Sequence, residues 1–108
     1  MKATWNGAVL AEAAQEDLIH IEGNWYFPPD AVHKEFFKPN DMHTTCFWKG
    51  EASYYDVVVK NETNESAAWY YPVPKEGSVE KVKKDFANYV AFWHGDRKST
   101  RLNSSHLV

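Results

Sequence analysis

Asn6-Gly7 lies between two short alternating stretches, Lys2–Trp5 and Ala8–Ala11, and no other feature constrains the fold as strongly. Both central residues of a two-residue hairpin loop need positive φ, which Gly adopts freely and Asn tolerates. The dipeptide therefore commits the start of the chain to an antiparallel pair. Similar punctuation recurs downstream. Leu18–Phe27 reads as one long strand halted by Pro28-Pro29, because Pro brings no amide hydrogen to a ladder and biases its predecessor to extended geometry. Asp30 is placed to cap a helical turn through Ala31–Phe37, which Lys38-Pro39-Asn40 ends. Thr44–Trp48 and Ser53–Val59 read as strands around Lys49-Gly50, the second carrying the β-branched run Val57-Val58-Val59. Lys60–Asn64 is a polar turn, and Ala67–Tyr71 an aromatic strand closed by Pro72-Val73-Pro74. Ser78 caps a short helix with Val79, Val82 and Phe86 on one face, and Tyr89–Trp93 makes the last strand.

Many short strands with one or two short helices predict a mainly β domain, an antiparallel two-sheet or barrel-like arrangement. A length of 108 residues and 44% hydrophobic content suit one domain with a real core. No apolar run is long enough for a membrane span. The first residues, Met1-Lys2-Ala3-Thr4-Trp5-Asn6, lack the pattern of a secretory signal, so a cytoplasmic protein is expected. One Cys excludes a disulfide scaffold, and a net charge of −3 provides no footprint for nucleic acid. Neither nucleic acid nor membrane is an expected partner.

Composition breaks sharply near the end. Both arginines, Arg97 and Arg101, follow Gly95. Residues 96–106, Asp-Arg-Lys-Ser-Thr-Arg-Leu-Asn-Ser-Ser-His, match codon for codon the translation of a common sequencing-library adapter. The expected organisation is therefore one β domain over residues 1–95 and a non-native, disordered tail over 96–108. Setting the tail aside makes the remainder more acidic than the whole chain.

Chemistry-bearing residues gather at strand ends and turns. Alternation along a Leu18–Phe27 strand sets His20, Glu22, Asn24 and Tyr26 opposite Ile19, Ile21, Trp25 and Phe27. His20 and Glu22 read as a solvated face, whereas Asn24 and Tyr26 sit against the proline stop, where pockets open. Thr44–Gly50 brings together a thiol, two hydroxyls and an ammonium, making Cys46 and Lys49 the candidates for catalysis. Against that stands the common fate of a lone Cys as a small buried hydrophobe. Lys49 reaches the sulfur only if Phe47–Gly50 bends, since an extended strand sets the two on opposite faces. A partly buried, protonated thiol in the pocket wall is the expectation. His43-x-x-Cys46 supplies too few ligands for zinc, so no metal site is expected. Asn61-Glu62-Thr63 and Asn64-Glu65-Ser66 match the glycosylation pattern but read as part of a turn. Tyr54-Tyr55 and Trp69-Tyr70-Tyr71 place neighbouring rings on opposite faces, and rings with polar tips suit a core edge or a ligand pocket.

Five motifs occur in order: Lys2-Ala3-x-Trp5-Asn6-Gly7, Glu22-Gly23-Asn24-x-Tyr26-Phe27-Pro28-Pro29, Thr45-Cys46-x-Trp48-Lys49-Gly50-x-Ala52-x-Tyr54-Tyr55, Ala67-Ala68-Trp69-Tyr70-Tyr71-Pro72-x-Pro74 and Tyr89-Val90-Ala91-Phe92. Through them the chain resembles domain-of-unknown-function family 427 (DUF427), found in bacteria and fungi, across nearly all of residues 1–95. The family usually has Pro after the cysteine, where Phe47 stands here. The resemblance implies a compact β-tent-like domain, similar to the Mss-four and cereblon ligand-binding type. Those relatives commonly carry paired-Cys zinc knuckles, which this chain lacks, so a structural zinc does not carry over. A nucleotidyltransferase label sometimes attached to the family finds no Gly-rich phosphate loop and no paired metal-binding carboxylates here.

Two functions follow as expectations. One is a small-molecule-binding domain, with scope for catalysis at Cys46 or Lys49 and no cofactor. Its pocket is lined by Asn24, Tyr26, Cys46 and Lys49 together with Tyr54, Trp69 and Tyr70. The other is a non-catalytic protein-interaction module presenting an exposed aromatic patch. Polar and aromatic residues mixed at strand ends favour the pocket.

Overall fold

The computed structural model describes residues 1–93; the expected break at Gly95 and the adapter-like tail lie outside the described residues. Lys2–Trp5 (β1) and Ala8–Glu12 (β2) pair antiparallel, and Asn6 and Gly7 turn between them with φ of 53° and 80°. The hairpin buries Ala3, Trp5, Leu10 and Ala11.

The long strand expected over Leu18–Phe27 is instead a second hairpin, Ile19–Ile21 (β3) against Asn24–Tyr26 (β4). Glu22 and Gly23 reverse the chain with φ of 53° and 84°, the same backbone solution as Asn6-Gly7. A left-handed glutamate costs about 1–2 kcal/mol, and in this position Glu22 forms an ion pair with Lys49. The reversal regroups the faces. Ile19 pairs with Tyr26 and Ile21 with Asn24, so these four share one face rather than two. His20 stacks on Trp25 on the other face, with ring centroids 4.4 Å apart.

No helix forms over Ala31–Phe37. Two 3-10 turns, Pro29–Ala31 and Lys34–Phe36, flank an extended Val32-His33, and no side chain caps either turn. Tertiary pairing outcompetes the local signal here. Val32 bridges Ala11, and the His33 amide donates to the Leu10 carbonyl at 2.8 Å.

Phe37–Cys46 (β5), Gly50–Val59 (β6), Glu62–Tyr70 (β7) and Val90–Phe92 (β8) form an antiparallel sheet in the order β5-β6-β7-β8. β5 runs straight through Lys38-Pro39-Asn40, which the sequence marks as a stop. As the edge strand, β5 has a ladder on one side only, so a missing amide hydrogen is tolerated. Lys60 and Asn61 alone make the β6–β7 turn, with φ of 52° and 67°, which returns Glu62–Asn64 to strand. Reciprocal bonds between Phe27 and Val90, 2.8 and 2.9 Å, tie β4 to β8 and extend the sheet toward the second hairpin. Among the described residues the strands do not close into a barrel.

Ser78–Val82 (α1) is the one α-helix among the described residues; Gly77 occupies the N-cap position and the Ser78 hydroxyl donates to the Lys75 carbonyl.

Side-chain alternation divides the core into two clusters. Tyr55 and Tyr70 join Trp5, Leu10, Phe27, Val57 and Phe92 in one. Tyr54 and Trp69 join Ile19, Ile21, Tyr26, Tyr71 and Phe86 in the other. Rings adjacent in sequence thus serve opposite faces of one sheet.

Candidate functional site

The ladder of the main sheet is irregular in one place, and the irregularity crosses three strands. Register shifts between Pro39 and His43 where β5 meets β6, and between Tyr55 and Val57 where β6 meets β7. Ser66 of β7 has a left-handed φ of 53°. Bulges bend a strand and re-aim its side chains, and they collect beside functional sites. Here they are stitched together by side chains. Asp56 Oδ1 accepts from Asn40 Nδ2 at 2.7 Å and from the Ser66 amide at 2.9 Å. Asn40 Nδ2 also donates to Ser66 Oγ at 3.0 Å, while Asn40 Oδ1 accepts from the Met42 amide at 2.8 Å. The bond to Asp56 holds Ser66 in a conformation that would otherwise be strained.

Facing these bulges is a rigid aromatic floor. Trp69 Nε1 donates to the Tyr26 hydroxyl at 3.1 Å, with the two rings nearly perpendicular at 86°. Tyr71 lies against Tyr26 at a centroid distance of 6.5 Å. Lys49 enters from the β5–β6 turn and is only 6% exposed. Its ammonium is ion-paired to Glu22 and stands 5.4 Å from the ring centroids of both Trp48 and Tyr71. The turn does bend, as Gly50 permits. At φ of 114°, Gly50 lets the chain after Tyr71 close in, and the Lys75 amide bonds the Lys49 carbonyl at 2.8 Å. A Cβ at Gly50 would stand 3.1 Å from the Lys75 nitrogen.

Burial and pairing set the electrostatics of this floor. Burial alone would lower the Lys49 pKa, but the bond to Glu22, with the Tyr26 and Tyr71 hydroxyls, outweighs it. The ammonium is held protonated beyond the ordinary lysine range. Glu22 shifts the opposite way: the Lys49 bond keeps its carboxylate ionised against a smaller desolvation effect. Burial raises Tyr26, with Trp69 opposing, and pushes Tyr71 up to about 12.

Between floor and bulges opens a cleft of about 830 Å³. Of the residues expected to form a pocket, Asn24, Tyr26, Lys49, Tyr54 and Trp69 line it together. Cys46 does not; it is half-buried and packs against the cluster that supports the cleft. Tyr70 does not either. It stacks on Tyr55 at 4.6 Å and 20° in the other cluster, on the far side of the sheet. The remaining lining was not expected from sequence. Asn40, Asp41 and Met42 come from β5, Asp56 from β6, and Glu65 and Ser66 from β7. Tyr71 and Trp93 complete it. One signal for the wall was present: Pro39 followed by Asn40-Asp41 inside a strand marks a bulge as readily as a stop.

Lys49 is held protonated and paired, which removes the lone pair a nucleophilic amine needs. The Ser53 hydroxyl is 3.2 Å from His43 Nδ1, but the Glu51 carboxylate approaches that same nitrogen, so no relay through the ring is set up. Among the described residues no group of three or more His, Cys, Asp or Glu could hold a metal ion. No described helix is long and apolar enough to cross a membrane.

No curated protein matches the chain. A family model does, over residues 1–102: domain of unknown function (DUF427). Its span takes in both hairpins, the four-stranded sheet and every residue that lines the cleft. The chain belongs to the DUF427 family.

Proposed function

We propose that the protein is a small-molecule-binding β domain whose ligand seats in the cleft between the Tyr26–Trp69 floor and the bulged wall of β5, β6 and β7. The observation that carries this reading is convergence. Polar and aromatic groups from β4, β5, β6, β7 and the Lys49 turn meet around one concave space of about 830 Å³. That volume falls in the range of small-molecule sites, which pair an apolar lining with a few placed polar groups. The floor is locked by bonds among its own members, so little ordering remains to oppose binding. Binding rather than turnover is the assigned role, because Lys49 serves as a fixed charge and Cys46 does not line the cleft. We place the protein in the cytoplasm, where a free thiol such as Cys46 stays reduced, with no nucleic-acid or membrane partner.

A thermal-shift screen of a metabolite library tests the proposal, since a ligand selective for the folded state raises the midpoint. A hit whose shift disappears in Trp69→Ala and survives in Phe47→Ser supports it. Hits that all survive Trp69→Ala overturn it. A second reading, an interaction module, finds support in Phe47, 82% exposed in the β5–β6 turn. It requires the reverse pattern, with partner capture lost in Phe47→Ser.

A further inference from the structure

We infer that the cleft takes an organic cation, an amine or quaternary ammonium group carried on a small apolar body. The inference rests on the pocket reading above and adds the charge of the ligand. Among the described residues Lys49 is the one cationic side chain in the lining, and Glu22 already neutralises it. Across the cleft the wall contributes the carboxylates of Asp41 and Asp56. Asp56 is fixed in place by two donors that both land on Oδ1, and no described residue donates to its Oδ2. The rings of Tyr54, Trp69 and Trp93 share the same space. Indole and phenol faces carry negative quadrupole density and attract a cation, most strongly where water is displaced.

Alternative ligand charges fit worse. An anion would meet the like charges of Asp41 and Asp56 and find, among the described residues of the lining, a single ammonium already committed to Glu22. A neutral ligand would strip water from Asp56 and return no counter-charge. A cation with an apolar body satisfies both walls at once, its charge at the carboxylates and its body over the rings.

Three matched probes decide the point on the full chain labelled with nitrogen-15: benzylamine, benzyl alcohol and benzoate. The readout is the indole N–H resonance of Trp69. Benzylamine is expected to shift it saturably and to bind about tenfold more tightly than either analogue. Asp41→Asn and Asp56→Asn should each weaken benzylamine by about threefold or more, and added salt should weaken it further. Asp41 is exposed, so its variant tests the charge even if Asp56→Asn perturbs the bulge. Asp17→Asn, at a separate surface, should change nothing. Benzyl alcohol or benzoate binding as tightly as benzylamine would overturn the cation assignment and leave the pocket reading standing. Silence from all three would also overturn it, and the metabolite screen with Trp69→Ala then judges the pocket on its own.

Discussion

The indole of Trp69 and the hydroxyl of Tyr26, 43 positions apart in sequence, are joined by a hydrogen bond of 3.1 Å between β7 and β4. The bond closes the floor of the cleft and links the second hairpin to the main sheet. It also orders the burial, because Tyr26 has no exposed surface while Trp69 keeps part of its ring toward the cleft.

Tyr26→Phe keeps the ring and removes the acceptor, leaving the Trp69 N–H without its partner. The expected loss is about 1–2 kcal/mol of unfolding free energy, read by urea denaturation. An unchanged midpoint would mean that the bond contributes nothing to stability.

Alkaline pH should unfold the protein at lower denaturant. Tyr71 titrates at about 12 in the fold against 10.0 for the ordinary side chain, and Lys49 is likewise raised above its ordinary 10.5. For a raised value, the unfolded chain releases its proton first as pH climbs. The contribution is therefore complete below pH 10 and is lost above it. Stability measured from pH 7 to 11 should be level at first and then fall, with the fall reduced in Tyr71→Phe.

Acid acts through Glu22, whose folded pKa lies below its ordinary 4.5. Its contribution is present above that ordinary value and is lost as pH falls through the folded one. More than half of this side chain is exposed, so solvent keeps the effect small. Glu22→Gln should lessen the acid limb of the stability profile slightly and remove the Lys49 part of the alkaline limb, leaving the Tyr71 part in place.

Two glycines with positive φ should differ in their response to alanine. At Gly23 a Cβ meets nothing within 4 Å, and only backbone strain of about 1–2 kcal/mol is expected. At Gly50 the added carbon would also press on backbone atoms, 3.1 Å from the Lys75 nitrogen and 3.2 Å from the Val73 oxygen. Gly50→Ala should therefore destabilise clearly more than Gly23→Ala, and loosen Lys49 with it. Equal midpoints in thermal melts would contradict the close approach.

Legibility followed the range of the interactions involved. Asn6-Gly7 and the Val57-Val58-Val59 run were readable because their signals are local. Tyr26, Lys49 and Trp69 were readable as neighbours around one cleft because aromatic and polar groups cluster where strands end. Glu22-Gly23 was missed as a turn, since a glutamate rarely takes positive φ without a partner such as Lys49. Tyr70 was placed in the pocket although alternation sets it opposite Trp69; pairing with β6 shows that the cleft lies on the face of Tyr54 and Trp69, while Tyr70 shares the other with Ser53. The acidic wall escaped altogether. Asp56 and Ser66 meet through a bulge, and a bulge depends on how three strands align rather than on any one of them.

Five tryptophans give the account its most direct test, because they divide by location. Trp69 and Trp93 line the cleft, Trp5 and Trp25 belong to the opposite cluster, and Trp48 stands at the β5–β6 turn beside exposed Phe47. Their indole N–H resonances, followed while a screening hit is titrated into the labelled protein, report the seat of the ligand. With the ligand in the cleft, the Trp69 and Trp93 signals move together and saturate, while those of Trp5 and Trp25 stay fixed. Movement confined to Trp48, or to Trp5 and Trp25, would contradict it.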